Sequence, residues 1–205
     1  MTITHSFNSQ LAYSERASCE PFWDAVYQKA FPNLVNHMMC SGNTESQRMG
    51  VDRIVYLANG LTVAIDEKKR RIDYGDVILE YLSVDTTGAP GWIEKDLAID
   101  YLAYAIMATK QCYLFPWQLL RRVWCRFGKE WIELAAQNEK ALTEKKARNP
   151  HYMNYKSTGF RHIEAKNKGY STWSIAVPVK LLRQQVSAAS IIDVTNELPD
   201  WDYQE

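Results

Sequence analysis

Asp52, Glu67 and Lys69 are two carboxylates and an ammonium on two runs that both read as extended chain. Such groups, brought together, suit a hard divalent cation held against phosphate oxygens. The runs are residues 51–58 and 61–69, and between them stands Asn59-Gly60, a strong short-range hairpin signal. With Asn59 and Gly60 as the two central residues of the turn, Ala58 faces Leu61, and each earlier pair follows in step until Asp52 faces Glu67. Their Cβ atoms would then lie roughly 5 Å apart, where like charges repel unless a cation stands between them. Lys69 follows two positions on, on the same face, above the space left by Gly50. Ile54, Tyr56, Val63 and Ile65 continue that face as an apolar wall, while Arg53 faces Asp66 on the other side as an ordinary cross-strand ion pair. The plainer reading of Asp66-Glu67-Lys68-Lys69-Arg70-Arg71 is a solvated charge run at a strand end. The spacing and facing of the residues instead match a metal-dependent phosphodiesterase, in which the lysine positions the attacking water and offsets charge on the phosphate.

The elements that must position these residues are legible in outline. Phe22, Val26 and Ala30 form one helical stripe with Trp23 and Tyr27 beside it, which predicts a first helix over 21–31 closed by Pro32. A third strand is expected over 77–84 after the Tyr74-Gly75-Asp76 turn. Leu97, Tyr101, Tyr104 and Ala108 stand at helical spacing and predict a second helix over 94–108. A short strand follows at 112–115, then a long helix over 117–147 with a break at Gly128. Residues 149–158 read as irregular, 159–165 and 170–177 as a hairpin, and 180–189 as a last helix.

That order, with Asp52 in GVDRIVYL and Glu67-Lys68-Lys69 in AIDEKKR separated by 14 residues, resembles the PD-(D/E)XK nuclease superfamily. More generally the chain, with the blocks GWIEKDLAIDYLAYA and AKNKGYSTWSIAVP, is similar to nuclease-like proteins of phage and mobile-element origin. The resemblance spans about residues 20–125 and implies a mixed α and β fold with a restriction-endonuclease-like core of a helix, three antiparallel strands, a helix and a strand. It implies hydrolysis of DNA ahead of RNA, with Mg²⁺ or Mn²⁺ held by Asp52, Glu67 and the backbone carbonyl of Lys68, and with Lys69 as base or charge stabiliser. Glu20 or Asp24 from the first helix, Gln47, and Glu80 on the third strand are additional candidates. A second D-x-K frame through Asp66 and Lys68 demands the opposite face. The rival class is a catalytically inactive module of the same fold that binds nucleic acid or a protein partner.

Charge is balanced overall, with 24 basic and 24 acidic residues, but it is segregated. The net is −5 over residues 1–109, +10 over 110–185 and −5 over 186–205. The basic block interleaves Lys156, Arg161, Lys166 and Lys168 with Tyr152, Tyr155, Phe160, Tyr170 and Trp173, which suits a nucleic-acid backbone with exposed bases. Arg121, Arg122 and Arg126, outward on the long helix, join Lys166 and Lys168 as the expected nucleic-acid-facing set. Cys19, Cys40, Cys112 and Cys125 have no paired spacing, and His37 beside Cys40 reads as structural and not as a metal site. These features, with no apolar run of membrane-spanning length and no basic-then-apolar start, predict a cytoplasmic protein with no membrane partner. One domain over 1–205 is expected, elaborated over 150–189 and closed by a mobile acidic tail at 190–205; a homo-oligomer is left open.

Overall fold

The computed structural model describes residues 20–40, 49–148 and 159–199 and is mixed α and β. The chain forms two compact units, each discontinuous in sequence. Among the described residues, one unit takes 20–40, 49–74, 96–120 and 186–199; the other takes 75–95, 121–148 and 159–185.

The first unit holds helix α1 (Glu20–Ala30) and strands β1 (Leu34–Met39), β2 (Arg53–Leu57), β3 (Thr62–Arg70), β6 (Tyr101–Ile106), β7 (Gln111–Pro116) and β10 (Ser190–Asp193). They form a six-stranded sheet in the order β1-β2-β3-β6-β7-β10, antiparallel throughout except for the parallel pair β3 and β6. Phe22, Trp23, Val26 and Tyr27 of α1 are buried in one cluster with Val55, Ile65, Ala103, Ala105, Cys112, Leu114 and Val194. Each large apolar side chain so removed from water contributes about 1.5–3 kcal/mol.

The second unit holds β4 (Asp76–Val84), β5 (Ala89–Pro90), β8 (Arg161–Asn167), β9 (Tyr170–Pro178), α3 (Val179–Gln185) and most of the long helix α2 (Trp117–Arg148). Its sheet runs β5-β4-β9-β8. Rings link helix to sheet: Trp124 stacks on Tyr81 at 6.4 Å and Trp131 on Phe160 at 5.7 Å.

Several expectations are corrected. Residues 94–108 are not a helix: β6 occupies 101–106, and short 3-10 turns stand at Trp92–Glu94 and Met107–Thr109. Leu102 to Ile106 are all buried, as in a strand covered on both faces, and such a continuous apolar run satisfies helical spacing by accident. The expected third strand, β4, belongs to the other sheet, so the order helix, three antiparallel strands, helix, strand is not that of one sheet. β1 and β10 were not expected at all. β10 pairs with β7, and the segment after it is tied down by Lys29 to Glu197 (2.7 Å) and Lys110 to the Leu198 carbonyl (2.5 Å), so residues 190–199 are not a loose tail. Residues 200–205 lie outside the described residues, as do 149–158. Among the described residues no helix is long and apolar enough to cross a membrane.

Gly128 does not break α2. A Cβ there would meet the ring of Trp124 at 2.8 Å, and Trp124 is fixed by burial and by its Nε1 donating to Glu94 at 2.7 Å. Close approach, not flexibility, selects glycine. Gly128→Ala is therefore expected to destabilise the protein by about 1–3 kcal/mol despite alanine's better helix propensity, read from urea unfolding; a gain in stability would contradict this packing.

Candidate active site

The β2–β3 hairpin turns differently from the two-residue form. Gly60 N–H donates to the Leu57 carbonyl and Leu57 N–H to the Leu61 carbonyl, both at 2.9 Å, while Asn59 Oδ1 accepts from Leu61 N–H at 3.1 Å. Gly60 has φ +82°, and Lys110 is the one non-glycine with positive φ among the described residues, so Asn59 is not left-handed. This is a three-residue loop, Ala58-Asn59-Gly60, with a glycine bulge. The ladder accordingly pairs Arg53 with Ile65, Ile54 with Ala64, Val55 with Val63 and Tyr56 with Thr62. One residue of slip moves every side chain of β3 to the other face relative to β2.

Asp52 consequently stands with Asp66 and Lys68, and not with Glu67 and Lys69. Asp52 N–H donates to the Ile65 carbonyl at 2.9 Å, the Asp66 carboxyl lies near enough to Asp52 to be raised by it, and Lys68 Nζ donates to Asp66 Oδ1. The Asp52 carboxylate also accepts from the Glu67 backbone N–H at 2.9 Å. In the parallel ladder Asp66 adjoins Leu102 and Lys68 adjoins Tyr104, both buried. Burial, with Asp52 adding to it, pushes the Asp66 carboxyl up to about 7 against the opposing pull of Lys68. Asp66 thus holds its proton below neutral pH.

Glu67 points the other way, beneath α1. Arg53, with 1% of its surface exposed, donates from Nε to Glu67 Oε1 at 2.5 Å, and Tyr27 OH donates to the same oxygen at 2.8 Å. Burial raises the Glu67 carboxyl, and Arg53 and the Tyr27 hydroxyl pull it back. The expected Arg53–Asp66 pair is therefore an Arg53–Glu67 pair. Arg53 Nη1 lies 2.9 Å from His37 Nδ1. A guanidinium has no acceptor, so Nδ1 accepts and Nε2 carries the hydrogen that points at Asp24, 2.9 Å away. Asp24, a candidate ligand from the first helix, is thus engaged with His37. Tyr27 and His37 were missed as polar participants because their spacing reads as packing alone.

The other candidates belong to other elements of the chain. Glu80 is on β4 of the second unit and accepts from Ser83 Oγ at 2.8 Å. Glu20 opens α1, and Gln47 lies outside the described residues. Arg121 donates to the carbonyls of Ile93 (3.2 Å) and Lys95, which makes it a clasp on the loop after β5. Arg122 and Arg126 are exposed one helical turn apart, Lys168 is exposed in the β8–β9 turn, and exposed Lys166 lies 4.0 Å from Glu164. Phe160 and Trp173 are occupied by contacts with Trp131 and His162, not displayed for stacking on bases. Tyr152, Tyr155 and Lys156 lie outside the described residues.

Comparison of the chain with protein-family models, with curated proteins and with solved structures finds no match.

The carboxylate pair suits a divalent cation: two neighbouring carboxylates repel when ionised, and Mg²⁺ uses one or two carboxylates completed by water and phosphate oxygens. In the metal-free protein the Asp66 proton has a sign that can be measured. Between about pH 4, where an unfolded aspartate releases its proton, and about 7, the folded state holds a proton that the unfolded state has lost. That contribution is full below the unfolded value and is lost as pH rises through about 7, on the order of a few kcal/mol. Asp66→Asn, which cannot ionise, is expected to flatten this decline and to be the more stable protein at pH 8 in chelator, measured by urea unfolding; parallel pH profiles would contradict the raised Asp66 carboxyl.

Proposed function

We propose that the protein is a metal-dependent nuclease working through Asp52, Asp66 and Lys68, the D-x-K frame on the face opposite Glu67 and Lys69. The observation that carries this reading is the register, which sets Asp52 beside Asp66 on one face of the hairpin, with Lys68 against Asp66. The support is local to the β2–β3 hairpin and does not draw on a restriction-endonuclease-like order of the whole sheet. Mg²⁺ or Mn²⁺ would be held by the two carboxylates, and, with the frame moved by one residue, the resemblance assigns the backbone carbonyl to Glu67 in place of Lys68. When bound, the ion polarises the phosphate and acidifies water. Asp52 is oriented by the Glu67 amide, and Lys68, one-third exposed at its side chain, presents a positive charge where phosphate charge develops. DNA, with RNA as the second substrate, is the polyanion proposed for the net-positive second unit, where Arg122, Arg126, Lys166 and Lys168 are exposed.

The second reading, an inactive module of the same kind that holds nucleic acid or a protein partner, is favoured by the 3% side-chain exposure of Asp66. One assay separates the two: cleavage of single- and double-stranded DNA and RNA with Mg²⁺ or Mn²⁺. Asp52→Asn and Asp66→Asn are expected to lower cleavage by about 10²–10³-fold or more, Lys68→Ala by a similar factor with the metal still bound, and Lys69→Ala by no more than about threefold. Loss confined to Lys69→Ala and Glu67→Gln would restore the other frame, and no cleavage by the wild type would favour the inactive module. If the four basic residues each meet a phosphate, log affinity is expected to fall with log salt at a slope of about −3 to −4, and each Ala substitution to remove close to one unit; a flat salt response would remove nucleic acid as the partner.

A further inference from the structure

The Arg53–Glu67 pair and its partners lie on the face that the proposed chemistry does not use, yet they flank it on both strands. Arg53 follows Asp52 on β2, and Glu67 stands between Asp66 and Lys68 on β3. The Glu67 residue serves two faces at once: its N–H donates to Asp52 Oδ2 at 2.9 Å, and its carboxylate is held under α1 by Tyr27 OH at 2.8 Å and Arg53 Nε at 2.5 Å. The Arg53 guanidinium continues to His37 on β1 and lies 5.6 Å from the Tyr27 ring centroid, and His37 reaches back to Asp24 on α1. Two neighbouring strands are thereby pinned to β1 and α1 at the residues next to the proposed ligands.

We propose that Tyr27, Arg53 and His37 are positioning residues: by anchoring the Glu67 side chain they fix the Glu67 peptide, and through its N–H the Asp52 carboxylate, in the orientation that receives the cation. The inference rests on the reading of Asp52 and Asp66 as ligands. A carboxylate free to rotate must be ordered at the moment of binding, whereas one held by a fixed amide is already in place, and loss of such outer partners weakens metal sites by about 10–100-fold.

The test is Mn²⁺ affinity of the full chain, by electron paramagnetic resonance, together with solvent exchange of the Glu67 amide in the metal-free protein. Tyr27→Phe removes one hydroxyl and keeps the ring, so the core stays filled. It is expected to bind Mn²⁺ about tenfold more weakly than wild type and to exchange the Glu67 amide faster, while remaining folded at the assay temperature. Val26→Ala, on the same helix but outside the network, is expected to lower stability and leave the affinity unchanged. Asp66→Asn tests the ligand reading separately and is expected to lose the site. Should Tyr27→Phe match wild type in affinity and exchange while Asp66→Asn loses Mn²⁺, the positioning role is overturned and the ligand reading stands. Equal weakening by Val26→Ala and Tyr27→Phe also overturns it, as a stability effect. Equal Mn²⁺ binding by wild type and Asp66→Asn, or none by either, overturns the ligand reading and the positioning role with it.

Discussion

A guanidinium buried to 1% exposure must have a counter-charge, and in this protein Arg53 finds it in Glu67. Removing one partner from such a pair leaves an uncompensated interior charge, at a cost of about 3–5 kcal/mol, so the pair acts as a lock on strand register. Sliding β3 by one residue would turn Glu67 to the other face and bring Asp66 toward Arg53, while withdrawing Val63 and Ile65 from the surface that α1 covers. Apolar burial and charge pairing therefore select the same register, and the three-residue Ala58-Asn59-Gly60 loop closes it.

The lock divides the charged stretch 66–69 between two surroundings. Toward α1, Glu67 meets an arginine and a tyrosine hydroxyl, so its negative charge is balanced within the protein. On the other face two aspartates meet each other and a single lysine, and one of them keeps its proton up to about pH 7. Two neighbouring carboxyls on one sheet thus differ: Glu67 is held in a buried ion pair with Arg53, whereas burial and the neighbouring Asp52 raise the Asp66 carboxyl to about 7 against the pull of Lys68. The functional reading proposed above starts from that inequality and from the Asp52 carboxylate that the Glu67 amide orients.

The sequence made the local elements readable wherever two signals agreed. The α1 stripe of Phe22, Val26 and Ala30 ended at a proline, the strands flanked Asn-Gly, and the β8–β9 hairpin carried Gly169 at its turn, where φ is +89°. Register was not readable, because Asn59-Gly60 serves a two-residue turn with both residues left-handed or a longer loop with Gly60 alone left-handed, and either choice places apolar residues on both faces. Glu67 and Lys69, the residues expected to converge on Asp52, therefore stand on the opposite face of β3 from it, and Asp66 and Lys68 stand in their place. β6 was hidden by a different ambiguity: YLAYAI is apolar at every step, so alternation is lost exactly where a strand is covered on both faces. Sheet membership of β4, and the pairing of β10 with β7, depend on contacts far apart in sequence that no local pattern encodes.

The most direct test of the central claim is the position of a bound cation. Crystals of the full chain soaked in Mn²⁺ and measured at the manganese absorption edge are expected to show an anomalous peak bridging the Asp52 and Asp66 carboxylates, beside Lys68 and with the Arg53–Glu67 pair intact. A peak at Glu67 and Lys69, with Asp66 turned toward Arg53, or no peak near Asp52 in a lattice that leaves these residues open to solvent, would contradict it.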